Sequence, residues 1–220
     1  MTTGLSLIYR ITIFTVAVCI IFRYKRVDKA SKIICWLIWL GLLTESIGYY
    51  AAKVYRNNYP VFNIAFFAEF TLMSLYFGYS NEVLRKKKIG IYIALSGIVL
   101  GLINTFSFQP LFTTLNSHLL FLECLVVMSL AALSFHHLLI ADDVNMKLQR
   151  MPQFWFPCIL LFYQCATLST WGMYDKLGSS DAEKAASLDI SILTINIITY
   201  LSYGAVFFFY PKMKVHYVQS

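Results

Sequence analysis

A chain of 220 residues with 59% hydrophobic and 13% charged residues departs from soluble domains, which are roughly half apolar and a quarter charged. The apolar residues come in long uninterrupted runs, so lipid rather than water is the solvent for most of the chain. The formal net charge of +7 sits in short loops without interleaved aromatics, which reads as membrane topology and excludes nucleic-acid binding.

Runs of about 20 apolar residues predict a single-domain, all-α, seven-helix transmembrane bundle. The spans lie near residues 4–22, 33–52, 61–80, 89–106, 116–140, 153–172 and 187–209. MTTGLSL, before the first run, has no basic residue, and the basic cluster follows the run. That order is the reverse of a cleaved signal peptide and predicts a first span with an exported N-terminus. Span 2 carries Glu45, preceded by 12 uncharged residues from Ile33 to Thr44. Span 4 carries Gly97 and Gly101, a GxxxG pair that seats either an intramolecular helix contact or a homodimer face. Span 7 is preceded by Ser180 and Glu183, the spacing of a capping box. The five cysteines all fall in spans without a CxxC pair, so they are expected to act as small buried hydrophobes rather than as a disulfide framework.

Loop charges set the predicted orientation. Thirteen Lys and Arg flank one side of the spans and four the other, with Arg10 inside span 1. The basic side is expected to be cytoplasmic, with the N-terminus outside and the C-terminus inside a bacterial plasma membrane. Tyr49, Tyr50, Tyr59, Trp171 and Tyr174 then fall at the outer interface, which suits amphipathic rings.

With that orientation, the deep polar residues share one depth. Arg10, Glu45, Glu69, Glu123, Gln164 and Asn196 all fall roughly 9–14 Å below the outer surface at 1.5 Å per residue. Charges are costly at such depth and mark sites or partners. Helical spacing groups Gly41, Glu45, Gly48 and Ala52 on one stripe, Asn116 with Glu123, and Asp189, Asn196, Tyr200 and Tyr203 on a third. Three carboxylates and one guanidinium cannot all stay ionised in a dry layer. Arg10 is expected to satisfy one or two carboxylates, and a proton, a cation or water in an open cavity to supply the rest. These six residues are therefore the candidate ligand-binding set. Interhelical polar glue is the competing reading.

Known chemistries lack their signatures. HxxxH, HExxH and GxSxG are absent, and His118 is the only histidine near the polar layer, so neither metal nor cofactor is expected. Span 7 has no lysine for a retinal Schiff base. The receptor-type motifs of spans 3, 6 and 7 are missing. Matching polar depths in spans 1–3 and 5–7 hint at the repeats of small transporters. A carboxylate pair also suits acid–base work on a lipid headgroup.

Thr44 with Glu45 in span 2, Asn63 and Glu69 in span 3, and Pro152, Phe154 and Trp155 opening span 6 carry a resemblance. Over its full length the chain resembles a loose set of uncharacterised bacterial seven-span membrane proteins of similar size. That resemblance implies a fold and no activity. The residues themselves lead to a sensor or binding protein for a small ligand or lipid, taken from the outer side. A small-solute or proton-coupled transporter and an intramembrane lipid-modifying enzyme are the alternatives. The cationic loops Arg23 to Lys32 and Arg85 to Lys88 are expected to anchor topology against the bilayer.

Overall fold

A computed structural model describes the backbone of residues 2–140, 148–177 and 182–210. Every regular element among them is helical. Seven are long: α1 (Thr2–Arg23), α2 (Lys29–Tyr55), α3 (Tyr59–Ser80), α5 (Ile89–Ser107), α6 (Ser117–Ile140), α7 (Pro152–Leu177) and α8 (Ala182–Phe209). A five-residue helix, α4 (Glu82–Lys86), fills the connection from α3 to α5.

Local chemistry explains the breaks between helices. Asp28 caps α2 by accepting from the Ala30 and Ser31 amides at 3.1 and 3.3 Å, which satisfies two of the orphan donors of the first turn. Asn81 ends α3 through its amide to the Phe77 carbonyl and starts α4 through its side chain, which accepts from Val83 and Leu84. Arg56 ends α2 in the left-handed conformation at φ 55°. Pro60 then opens α3, where its missing N–H costs nothing. The expected capping box at Ser180 and Glu183 lies outside the described residues.

Six of the long helices are long and apolar enough to cross a membrane, which makes this a multi-pass membrane protein. The helix outside the six is α7. Its 26 residues suffice in length, but Gln153, Gln164, Thr167 and Thr170 dilute its apolar content. All four are buried, so α7 is polar where it faces protein. The outer surface is apolar instead. Phe14, Leu43, Ile64, Val99 and Leu201 are all exposed, which is what lipid solvation permits and water would penalise.

The helices close a ring in the order α1, α2, α3, α6, α7, α8, with α8 returning to α1. Helix α5 stays outside it, packed on α3 and α6. Gly97 and Gly101 make that packing possible. A Cβ at Gly97 would overlap the Phe70 ring, and one at Gly101 would meet Phe67 and Leu119. Both glycines are buried within the chain, which is the intramolecular helix contact of the two alternatives.

The two ends of the ring differ. At the end holding the α1–α2 and α3–α5 connections, the basic end, the interior is packed solid. Ile20, Ile34, Ile38, Phe77, Phe156 and Leu160 are essentially inaccessible there, in one continuous apolar cluster. Tyr210 ties off this end by donating to the Asp28 carboxylate at 2.6 Å. Toward the other end the ring is hollow.

Candidate functional site

The hollow is a cavity of about 970 Å³ lined by α1, α2, α3, α6, α7, α8 and the α5–α6 loop. Helix α5 contributes no lining residue. At the rim stand the exposed side chains of Tyr59, Ser117, His118 and Asp189. The rest of the lining includes both aromatic rings and carboxylates.

Four of the six sequence-derived site residues line this cavity: Glu45, Glu69, Glu123 and Asn196. They come from four different helices, so only the closed ring brings them together. Glu69 lies within the electrostatic reach of Glu45, and Glu123 within that of Glu69. Glu45 and Glu69 are half-buried, whereas Glu123 is 1% exposed. No Lys or Arg is among the described lining residues.

Gln164 is not in the wall but directly behind it. Its amide donates to Glu123 Oε1 at 3.1 Å and to Met73 Sδ at 3.3 Å, and its carbonyl accepts from the Cys124 thiol at 3.0 Å. It therefore fixes one oxygen of Glu123. The other, Oε2, is buried without a hydrogen-bond partner among the described residues. Thr199 Oγ1, in the same cavity wall, is in the same condition. Buried polar atoms are nearly always paired, and these two have no partner among the described residues.

Arg10 corrects an expectation. It makes no ion pair within 4.0 Å; among the described residues the pair that meets this distance is Lys86 with Glu82, at 3.1 Å. The Arg10 guanidinium lies 3.8 Å over the Tyr49 ring instead, a cation–π contact suited to a poorly hydrated planar cation. Glu45 still feels its charge, but Arg10 neither lines the cavity nor neutralises a carboxylate directly.

A network of amides holds the loop at the mouth. Asn63 on α3 donates to the carbonyls of Leu111 and Thr114, both at 2.8 Å, and accepts from the Asn116 amide at 2.7 Å. Asn104 donates to Gln109 and Asn116, and shares a 2.8 Å contact with His118 Nδ1. Gln109 reaches Ser117 at 2.8 Å. Asn116, placed by helical spacing on the Glu123 face, thus serves the loop rather than the cavity.

Several lining residues escape a reading by charge and depth. Tyr9 and Tyr163 sit beside Arg10 and Gln164 in sequence, yet it is the tyrosines that face the cavity. Phe62, Phe66, Phe121 and Trp171 add to the aromatic lining. Tyr200 and Tyr203, on the predicted stripe with Asp189 and Asn196, line it as well. Tyr200 reaches deep because its hydroxyl lies where a Cβ of residue 41 would be, over the bare backbone of Gly41.

No group of three His, Cys, Asp or Glu among the described residues is arranged to hold a metal ion. The five cysteines are free thiols. What the site offers is a half-open, aromatic and acidic chamber with unmet hydrogen-bond acceptors. No family model, curated protein or solved structure is similar enough to this chain to carry a function across to it.

Proposed function

We propose that the protein is a seven-span membrane receptor or binding protein that takes a small ligand or lipid into this cavity from outside the cell. The observation that carries the reading is the unpartnered Glu123 Oε2 in the wall of a chamber of about 970 Å³. That volume matches small-molecule sites of about 300–1,000 Å³. Helix α7 counts as the seventh span because it packs between α6 and α8, both apolar enough to cross. The excess of thirteen basic residues over four supports a cytoplasmic basic end and a plasma-membrane location, so that the cavity mouth faces outward. The solid packing of the basic end favours binding over passage, since transport would have to open that half.

Thermal melting of wild type and of Glu69→Gln and Glu123→Gln tests the reading. A site that holds charge for a ligand is built against stability. The variants are therefore expected to melt at or above the wild-type temperature. If both melt several degrees lower, the carboxylates are structural glue and the reading fails.

Glu69 and Glu123, close enough to interact and facing one chamber, favour a second reading, in which they form the acid–base pair of a lipid-modifying enzyme. Turnover of phospholipid or lysolipid by the purified protein, abolished in Glu69→Gln, would establish it.

A further inference from the structure

The chamber has a chemical bias that narrows its ligand. Its described wall presents four carboxylates, from Glu45, Glu69, Glu123 and Asp189, and no Lys or Arg. The nearest guanidinium, Arg10, is engaged on Tyr49 outside the wall. An anionic ligand would bring like charge into a low-dielectric space already rich in it. A neutral ligand would offer these carboxylates no charge partner and leave a proton to compensate them. Among the described residues no three His, Cys, Asp or Glu side chains converge into a coordination group for a bare metal ion.

Aromatic rings supply the second half of the argument. Tyr9, Phe62, Phe66, Tyr163, Trp171 and Tyr200 line the same space. Ring faces attract ammonium groups, most strongly when water is excluded. Carboxylates and aromatic rings in one wall suit a cation that is bulky, apolar at its surface and poorly hydrated. Glu123 Oε2 and Thr199 Oγ1, both in this wall, have no hydrogen-bond partner among the described residues, and each can accept from an ammonium or other N–H group. Gln164 donates to Glu123 Oε1 at 3.1 Å, so the protein itself fixes one oxygen of this carboxylate.

We propose that the ligand is an organic cation, an amine or quaternary ammonium group seated between the Glu69 and Glu123 carboxylates and the surrounding rings. The proposal rests on the ligand-binding reading above and adds the ligand's charge and class. Two sources share this chemistry: a free amine from the outside medium, and the ammonium headgroup of a lipid.

The test uses the full chain in nanodiscs of phosphatidylglycerol, which has no amine, with binding read by tryptophan fluorescence and by thermal shift. The probes are choline, tetraethylammonium and octylamine, with 3,3-dimethylbutan-1-ol as the uncharged isostere of choline. Saturable binding of at least one cation is expected, with choline preferred over its isostere by about tenfold or more, the loss of one charge-assisted contact. Glu123→Gln should weaken cation binding by a similar factor. Should Glu123→Gln fail to elute as a folded, monodisperse species, Glu69→Gln, half-exposed to the chamber, carries the same test. Including phosphatidylethanolamine in the discs separates the sources: competition with the soluble cation identifies a lipid headgroup, and no competition identifies a free amine. Equal binding of choline and its isostere, unchanged in the Gln variants, overturns the cation proposal and leaves the ligand-binding reading standing. If no probe of either kind binds, both fall.

Discussion

Gln164 shows how one residue can be needed by a site without touching its contents. It is wholly buried and spends its amide on Glu123 and Met73 and its carbonyl on Cys124. Gln164→Leu would strip Glu123 of its remaining protein hydrogen bond, and a buried acceptor left bare costs about 1–3 kcal/mol. A fall of several degrees in melting temperature is expected, reversed in part by a second change, Glu123→Leu, which removes the stranded group. At Gly41 the effect is steric. A methyl there overlaps the Tyr200 hydroxyl, so Gly41→Ala should cost about 1–3 kcal/mol, typical of overpacking. Thermal melting would register that loss, and an unchanged melt would mean that Tyr200 swings aside freely.

For whole elements, the decisive features are ends and crossings. Helix α2 stops at Arg56 in a left-handed conformation at φ 55°, which strains a side chain bearing a Cβ by about 1–2 kcal/mol. Arg56→Gly should therefore stabilise the protein by about 1 kcal/mol, measured as a raised melting temperature; a lower one would show that the Arg56 side chain holds something. At the crossing of α5 on α3, Gly97→Ala drives a Cβ into the buried Phe70 ring. The expected result is a destabilised monomer, about 1–3 kcal/mol, with oligomeric state in size-exclusion light scattering unchanged. An altered oligomeric state at constant stability would favour the homodimer reading.

On the scale of the molecule, the chain divides into a packed half and a hollow half. The packed half is continuous apolar core from Val16 to Tyr210; the hollow half holds the acidic chamber. The proposed orientation places the hollow half outward. In a background lacking the exposed Cys19 and Cys165, Thr113→Cys in the α5–α6 loop should react with a membrane-impermeant maleimide on intact cells. Lys87→Cys, at the basic end, should react only after the membrane is opened. The reverse pattern would invert the topology.

Sequence alone was enough for the solvent and the helices. Apolar runs of about 20 residues separated by charged loops admit little besides membrane helices, and six of the expected spans meet that criterion in the folded chain. Glu45, Glu69, Glu123 and Asn196 were legible as a set because a charge in lipid is rare and depth follows from counting along a helix. Which way a residue points around its helix is decided by the neighbours it packs against. That is why Tyr9 rather than Arg10, and Tyr163 rather than Gln164, faces the chamber. Only the tertiary structure decided that α5 stands outside the ring and that Gly97 is spent on Phe70. It also decided that one carboxylate oxygen is left without a partner. Each depends on contacts between helices far apart in the chain, which periodicity within a single helix does not encode.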